Sequence, residues 1–557
     1  MAKARVLPQE IWLLVAQEFS SRLDFSSLFR CACVSRGMAN LALPLLYSIH
    51  ESSPASNAHI LEIETSVCLW RSIILSSLPV GQTLFPYCHW IKTLRLGNLY
   101  SLLEDFGREG INENVRRLRA QFFGSPLQRF DISYRLTRGR GRRLDLDAVV
   151  VQVGDEIIDC IKTAAREQDK AVCLLSLEGP TLPTENLTTW VTSLSRLTSL
   201  RVHAGTVLND TLARAIRANC PAFNEVACYM CKGDGVDVKL AGFFNNLEPN
   251  TLESFIVNSR NDLGEESFKA LAGHSKSLKK LGLFNLERDA FGSLNHLTSC
   301  LELETLSLEA DTTAMSLRWD GPLAAVYAEI VQWLQQCVHL RSLDFQGVPR
   351  GTEMLSEVLK SPGIHLKTLN VKSDDFSPDL YDSLRSQNGL TQLAVRIVDE
   401  DVLEEGEERR EQLVEAICQC SDLRELETNE LLTINQFTQI TTALPTLEEI
   451  DLNGDLIDDS FLLPLINLSK LKAFTVFGPS SFTFDGILEF LNNLDSNSSS
   501  GDHEGFQLYL GDQIFEYKFT ADEEKMLQAE MRRRFGGKLD ITYRADPDEL
   551  HESDFTD

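Results

Sequence analysis

Leu278, Leu281 and Leu283 in SLKKLGLF stand at offsets −3, 0 and +2 of a pattern that recurs along most of the chain. The same offsets carry apolar residues at Ile91/Leu94/Leu96, Leu127/Phe130/Ile132, Val172/Leu175/Leu177, Leu197/Leu200/Val202, Phe223/Val226/Cys228 and Leu252/Phe255/Val257. They do so again at Leu303/Leu306/Leu308, Leu340/Leu343/Phe345, Leu366/Leu369/Val371, Leu390/Leu393/Val395, Leu423/Leu426/Thr428, Leu447/Ile450/Leu452 and Leu471/Phe474/Val476. Thr428 is the one polar intrusion in fourteen copies, and Leu508/Leu510 and Leu539/Ile541 add two degenerate ones. A chain of 557 residues is too long for one compact core, which stops growing at roughly 250–300 residues. Fourteen copies in register show that it extends by repetition, and they exclude a single globular α/β enzyme with coincidental leucines.

From position 175 onward the central residues are mostly 24 to 29 apart, with longer steps at 306 to 343 and 393 to 426. This is the leucine-rich-repeat period. The 0 and +2 side chains of a short strand share one face, so they point into a core. The −3 residue packs beneath them where the chain turns. Helix-period segments lie between the strands: Asp210-Thr-Leu-Ala-Arg-Ala-Ile, with Asp210 as its expected N-cap, and Glu266-Ser-Phe-Lys-Ala-Leu. No unit can bury its own face, so the units must stack. The expected class is α/β, a solenoid with a parallel β-sheet inside and helices outside. It should cover residues 51–545 in about 14–16 repeats, with loops near 134–143, 309–325, 399–411 and 495–505 and an acidic tail at 546–557.

Residues 1–50 leave the pattern. Leu7-Pro8 opens a helix with Ile11, Leu14, Val15 and Phe19 as its apolar stripe. Asp24 is placed to cap a second helix through Leu28, Phe29 and Ala32, and Ser35 a third that ends near Pro44. Three helices in this length make a marginal core that needs a neighbour to hold it. The string LPQEIWLLVAQEFSSRLDFSSLFRCACVSRGMANLALPLLYSIH resembles an F-box in Leu7-Pro8, Glu10-Ile11, Leu23-Asp24, Leu28, Val34-Ser35-Arg36 and Pro44-Leu45-Leu46-Tyr47. The stretch LWRSIILSSLPVGQTLFPYCHWIKTLRLGNLYSLLED that follows, and the helix end Ala215-Ile216-Arg217-Ala218-Asn219-Cys220-Pro221, resemble filamentous-fungal F-box/leucine-rich-repeat proteins. That resemblance implies a three-helix F-box at 1–50 binding a Skp-type adaptor through Leu7, Pro8, Ile11, Leu28, Val34 and Ser35. Through the adaptor it implies a cullin, with the repeats holding a target protein for ubiquitination and the chain itself doing no bond chemistry. The competing class is a leucine-rich-repeat scaffold independent of any ligase, its terminal helices serving only as a cap.

Residues between the inward positions face outward from the sheet. The register sets Glu425 beside Glu449 and Glu427 beside Asp451, four carboxylates that fit a basic target or else form a solvated face screened by salt. Nine arginines crowd 116–143 with one acid, Asp131, and no lysine. Its core, Thr137-Arg138-Gly139-Arg140-Gly141-Arg142-Arg143, has the glycine spacing of a mobile loop. Arg138, Arg140, Arg142 and Arg143 suit a phosphorylated segment, a nuclear-import signal or nucleic acid, or else neutralise the acidic body by pairing within the chain.

Acidic residues number 81 against 53 Lys plus Arg, a formal charge of −28, so the chain as a whole is repelled by nucleic acid and anionic membrane. Gln9, Glu10, Gln17 and Glu18 interrupt the N-terminal apolar stretch, which reads as amphipathic helix and not as a signal peptide, and no run long enough to span a membrane occurs. Thirteen scattered cysteines then read as reduced buried thiols of the cytoplasm or nucleus. GxxxxGK[ST], HExxH and GxSxG are absent. Cys228-Tyr-Met-Cys231 is the only CxxC and has no evident partner pair, so neither metal nor cofactor is expected. His274 and His89 read as structural.

Overall fold

The computed structural model describes residues 8–22, 24–48, 63–79, 83–107, 113–135, 142–167, 172–179, 182–315, 317–373, 377, 379–397, 406–453, 457–497, 503–514 and 518–543. Leu7, Arg138, Arg140, the acidic stretch at 398–405 and the tail lie outside them. The chain divides into two compact units, Met1–Leu278 and Lys279–Asp557. Among the described residues no helix is long and apolar enough to cross a membrane.

The first unit opens with three helices, α1 (Gln9–Ser21), α2 (Phe25–Val34) and α3 (Arg36–Ser48). Pro8 sits at the N-cap of α1. The Asp24 carboxylate accepts from Ser27 N at 2.9 Å and the Ser35 hydroxyl from Met38 N at 3.2 Å, so both expected caps form. The helix core is small: Ala16, Leu28 and Ala42, with Phe19, Cys31, Ala32, Leu45 and Leu46 packed round it. Pro44 does not end α3, which runs on to Ser48. Buried Tyr47 anchors that last turn. Its hydroxyl lies 2.6 Å from Ser72 Oγ on α4 (Ile63–Ser77), and its ring packs on Tyr87 and Trp90 at centroid distances of 4.9 and 6.2 Å. The marginal helical head is held by the chain that follows it.

Five strands of this unit form a parallel ladder: β1 (Thr93–Arg95), β4 (Ser176–Gly179), β5 (Ser199–Ala204), β6 (Glu225–Met230) and β7 (Ser254–Val257). Leu94, Leu177, Leu200, Val226 and Phe255 align across it, and all are buried. Two sequence expectations fail here. Leu127/Phe130/Ile132 supplies no rung. It forms a 3-10 turn leading to β2 (Ser133–Arg135), which pairs antiparallel with β3 (Arg142–Leu144), and β1 pairs directly with β4. The third copy is set two residues late. Leu174, Leu177 and Gly179 occupy −3, 0 and +2 in place of Val172, Leu175 and Leu177, with Leu182 filling the space beside Gly179 where a Cβ would stand. Because a strand alternates with period 2, a slip of two keeps the same face inward, so the leucine pattern alone could not separate the two registers. The long helix α7 (Leu146–Glu167) lies between this hairpin and β4 in the chain and buries Val149, Val153, Ile157 and Ile161.

In the second unit β8 (Lys280–Leu286), β9 (Thr305–Ala310), β10 (Ser342–Gln346), β11 (Thr368–Ser373), β12 (Gln392–Ile397), β13 (Glu425–Thr428), β14 (Glu449–Leu452), β16 (Ala473–Val476), β18 (Gln507–Gln513) and β19 (Lys538–Tyr543) pair in parallel. Two-residue strands β15 (Ile457–Asp458) and β17 (Ser480–Ser481) continue the pairing beside β14, β16 and β18. The inward residues fall at the expected positions, including polar Thr428, which is 1% exposed, and the degenerate copies at Leu508/Leu510 and Leu539/Ile541 are true rungs. Helices lie between successive strands, as in Pro322–Gln336 and Glu407–Gln419, so the end of the expected 399–411 loop is helical. In the first unit Asn209, not Asp210, caps its repeat helix, accepting from Leu212 N at 3.0 Å. Asp210 instead pairs with Arg214 at 2.7 Å.

Candidate functional site

The N-terminal helices leave large apolar side chains in solvent. Val34 is 74% exposed, Leu14 60%, Phe29 59% and Ile11 41%. Pro8 and Ser35 are exposed beside them. Leu28, named in the sequence as a partner contact, is fully buried and instead holds the small helix core. Leu14 and Phe29 were missed as surface residues because helix periodicity assigns them to an inward stripe. The module is too thin to cover every apolar position, and a side chain left outside it carries the same letter as one inside.

The outward face of the first ladder is self-paired. Arg95 lies 3.2 Å from Glu178, and Arg201 lies 3.3 Å from Glu225. Glu178 takes the +1 place that the shifted register had given to Ser176. His203 and Tyr229 stack with centroids 5.0 Å apart and planes at 12°.

On the second unit the register brings Glu425 beside Glu449 and Glu427 beside Asp451, as the repeat spacing required. These acids are partly answered by neighbouring strands. Arg396 makes a two-pronged ion pair to Glu427, and Gln392 Nε2 donates to Glu425 at 2.7 Å. Burial holds the Glu449 carboxyl above its ordinary range, with Glu425 and Asp451 adding repulsion. Burial likewise raises Asp451, against a hydrogen bond from Thr475 and the attraction of Arg396 and aided by the charges of Glu427 and Glu425.

The sign of the resulting pH dependence follows. Asp451 binds its proton more tightly in the folded than in the unfolded chain, so stability falls as pH rises from the unfolded value to the folded one. Asp451→Asn, which cannot ionise, should therefore raise the unfolding midpoint at neutral pH. The gain expected is roughly 0.2–1 kcal/mol, the range for a cross-strand pair. It should shrink as pH falls through the folded and then the unfolded value and vanish by about pH 3, where the side chain is protonated in both the folded and the unfolded chain. Denaturant midpoints across pH 3–8 check this, and a gain independent of pH would discount repulsion as its source.

The arginine segment proves largely committed where it is described. Arg117 pairs with Glu64 at 2.9 Å, Arg119 with Asp131 at 3.2 Å and Arg129 with Glu156 at 2.7 Å. Arg129 also lies over the Phe130 ring, 4.8 Å from its centroid. Arg143 is exposed on β3, opposite Tyr134, and Arg142 stands on the same strand. For 116–129, pairing within the chain is what the fold provides.

All thirteen cysteines are free. Cys220, Cys300, Cys337 and Cys420 recur at one repeat position, three residues before the −3 side chain, and all are buried. Burial pushes the first three thiols up to about 12 and the fourth to about 11. Cys228 and Cys231 are buried together, and the Cys231 hydrogen bond and burial hold Cys228 well above the usual thiol range. His274 is buried as expected, its Nδ1 accepting from Leu252 N at 3.3 Å and its Nε2 lying 3.2 Å from Phe244 O. One group differs: Cys88, His89 and Cys160 bring their donor atoms within 4.8 Å of one another. No sequence spacing marks this set, since α7 delivers Cys160 from 72 residues beyond Cys88.

The parallel rungs with inward leucines and helices between them make the architecture a leucine-rich repeat. No family model matches the sequence, and no curated protein does. Among solved structures the chain is similar to an internalin from Listeria monocytogenes, at 14% identity and a TM-score of 0.32, over 67% of this chain and 87% of that one. It is also similar to the yeast Rad7 and Elc1 complex structure, at 16% identity and a TM-score of 0.38, over 66% of this chain and 90% of that one.

Proposed function

We infer that this chain is the substrate-recognition subunit of a Skp–cullin–F-box ubiquitin ligase. The observation that carries the reading is the set of exposed apolar side chains on the N-terminal helices, Ile11, Leu14, Phe29 and Val34, on a module whose sequence resembles an F-box. Solvent-exposed side chains of this size gathered on a small helical head fit a partner surface better than a cap. A Skp-type adaptor would cover side chains of this set and lead to a cullin. The outward sheet face of the second unit, with its acids at Glu425, Glu427, Glu449 and Asp451, would take the target protein; the arginine segment with Arg138, Arg140, Arg142 and Arg143 is a separate candidate contact in the first unit. The contribution is effective concentration: the chain holds a target near the ubiquitin-charged enzyme and makes or breaks no bond.

The test is co-purification of adaptor and cullin with the full chain. Leu14→Asp/Val34→Asp and Leu7→Asp/Pro8→Ala should each abolish adaptor recovery while leaving the repeats folded by circular dichroism. Glu427→Lys/Asp451→Lys should remove target capture and keep the adaptor. An intact protein that brings down neither adaptor nor cullin would instead be a ligase-independent repeat scaffold.

A further inference from the structure

Cys88 and His89 lie on the 3-10 turn Tyr87–Trp90, and Cys160 lies on α7, which packs against that turn in the first unit. Cys88 Sγ and Cys160 Sγ are 3.5 Å apart, and Cys160 Sγ is 3.5 Å from His89 Nε2. In a tetrahedral zinc site with bonds of about 2.3 Å to sulfur and about 2.0–2.1 Å to nitrogen, the sulfur–sulfur edge is about 3.8 Å and the sulfur–nitrogen edge about 3.6 Å. These two separations are within a few tenths of an ångström of those edges, and the third, Cys88 Sγ to His89 Nε2, is within 4.8 Å. Thiol packing alone would explain two sulfurs in contact. The imidazole nitrogen of the residue next to one of them adds a third donor atom, within 4.8 Å of both sulfurs.

The surroundings hold the donors in place. Cys88 N donates to Ser76 Oγ at 2.9 Å, and both thiols lie near Ser76 O, at 3.5 Å for Cys88 and 3.9 Å for Cys160. Cys88 is buried, while His89 and Cys160 are half-buried. Among the described residues no fourth His, Cys, Asp or Glu atom joins the three within 4.8 Å.

We propose that Cys88 Sγ, His89 Nε2 and Cys160 Sγ form a binding site for a divalent transition metal of the zinc class, with water in the fourth position. Two soft thiolates and one imidazole select zinc over the harder magnesium and calcium. Binding releases the two thiol protons to solvent, and the two thiolates balance the charge of the ion. The site is exchangeable and not a folding clamp. α7 is already fixed by its buried Val149, Val153, Ile157 and Ile161, and a closed structural site would carry four protein ligands. The metal-free chain therefore stays folded, and metal adds stability in proportion to its concentration.

The experiment is titration of the reduced full chain, stripped of metal, with Co2+ as the spectroscopic probe and Zn2+ as the competitor. One equivalent of Co2+ should give thiolate charge-transfer and tetrahedral d–d bands. Zn2+ should erase them, and the thermal midpoint should rise with added Zn2+. Cys88→Ser and Cys160→Ser should each weaken binding by about 100-fold or more, beyond what loss of an outer-shell partner does. Cys231→Ser should bind as the wild type. Cys160→Ala serves as a second variant, with circular dichroism confirming its fold. Three results overturn the proposal: no bands from the reduced protein, bands that survive in the Cys88→Ser and Cys160→Ser variants, or a Cys88–Cys160 disulfide found by peptide mapping of protein kept under reductant.

Discussion

Glu430→Ala is expected to destabilise the second unit by about 3–5 kcal/mol, the range for breaking a buried ion pair by removing one of its members. The Glu430 side chain is fully buried and that of Arg409 is 10% exposed, with Arg409 Nη2 2.9 Å from Glu430 Oε2. The Tyr381 hydroxyl donates to Glu430 Oε1 at 3.3 Å, and Thr428 Oγ1 accepts from Glu430 N at 3.2 Å. Removing the carboxylate takes the Glu430 charge away from a guanidinium whose side chain is only 10% exposed. The same reasoning predicts that the double substitution Arg409→Met/Glu430→Leu is far milder than either single loss, because taking both charges out also removes the cost of burying them. A double-mutant cycle in urea measures the coupling. Hydrogen exchange should localise the loss to the helix Glu407–Gln419 and β13, since repeats lean chiefly on their neighbours. Equal damage from single and double substitutions would mean that packing, not charge, dominates at this position.

Trp190→Ala should cost the first unit about 3–5 kcal/mol, the range for deleting a buried aromatic side chain. Trp190 lies on α8 (Thr184–Val191), is 2% exposed and donates Nε1–H to Asp155 Oδ1 at 2.6 Å. Its ring presses on α7 where Gly154 leaves room: a Cβ there would stand 2.5 Å from Trp190 Cη2 and 2.7 Å from Cζ2. Gly154→Ala is therefore expected to cost about 1–3 kcal/mol by overpacking, despite the better helix propensity of alanine. Trp190→Phe should relieve part of that clash, since it removes the ring atoms that the new methyl would strike. Thermal and urea unfolding of the two single variants and their combination test the contact. A combined loss equal to the sum of the singles would show that the two positions do not meet.

The repeat was legible because one requirement recurs at every rung: an apolar pair on one face of a short strand. Leu281/Leu283, Leu369/Val371 and even Leu426/Thr428 fall where the spacing put them. Legibility failed where the same letters satisfied two geometries. Val172 and Leu174 both suit the turn position, and only pairing of Leu177 with Leu94 and Leu200 chooses between registers. Leu127/Phe130/Ile132 carries the pattern but packs as a turn leading into a hairpin, and β1 pairs directly with β4 without it.

The candidate surfaces divide in the same way. The juxtaposition of Glu425 with Glu449 and of Glu427 with Asp451 follows from strand register, which sequence spacing determines by itself once the fold is a repeat. That Arg396 reaches across to Glu427, that Leu28 is buried while Leu14 and Phe29 are exposed, and that Arg409 meets Glu430 were decided only by tertiary packing. The same holds for Cys88, His89 and Cys160. Periodicity records which face of an element is apolar; it carries no record of which side chains from distant elements arrive at one point. Local physics writes the ladder into the sequence, and contacts between elements far apart in the chain exist only once the ladder is stacked.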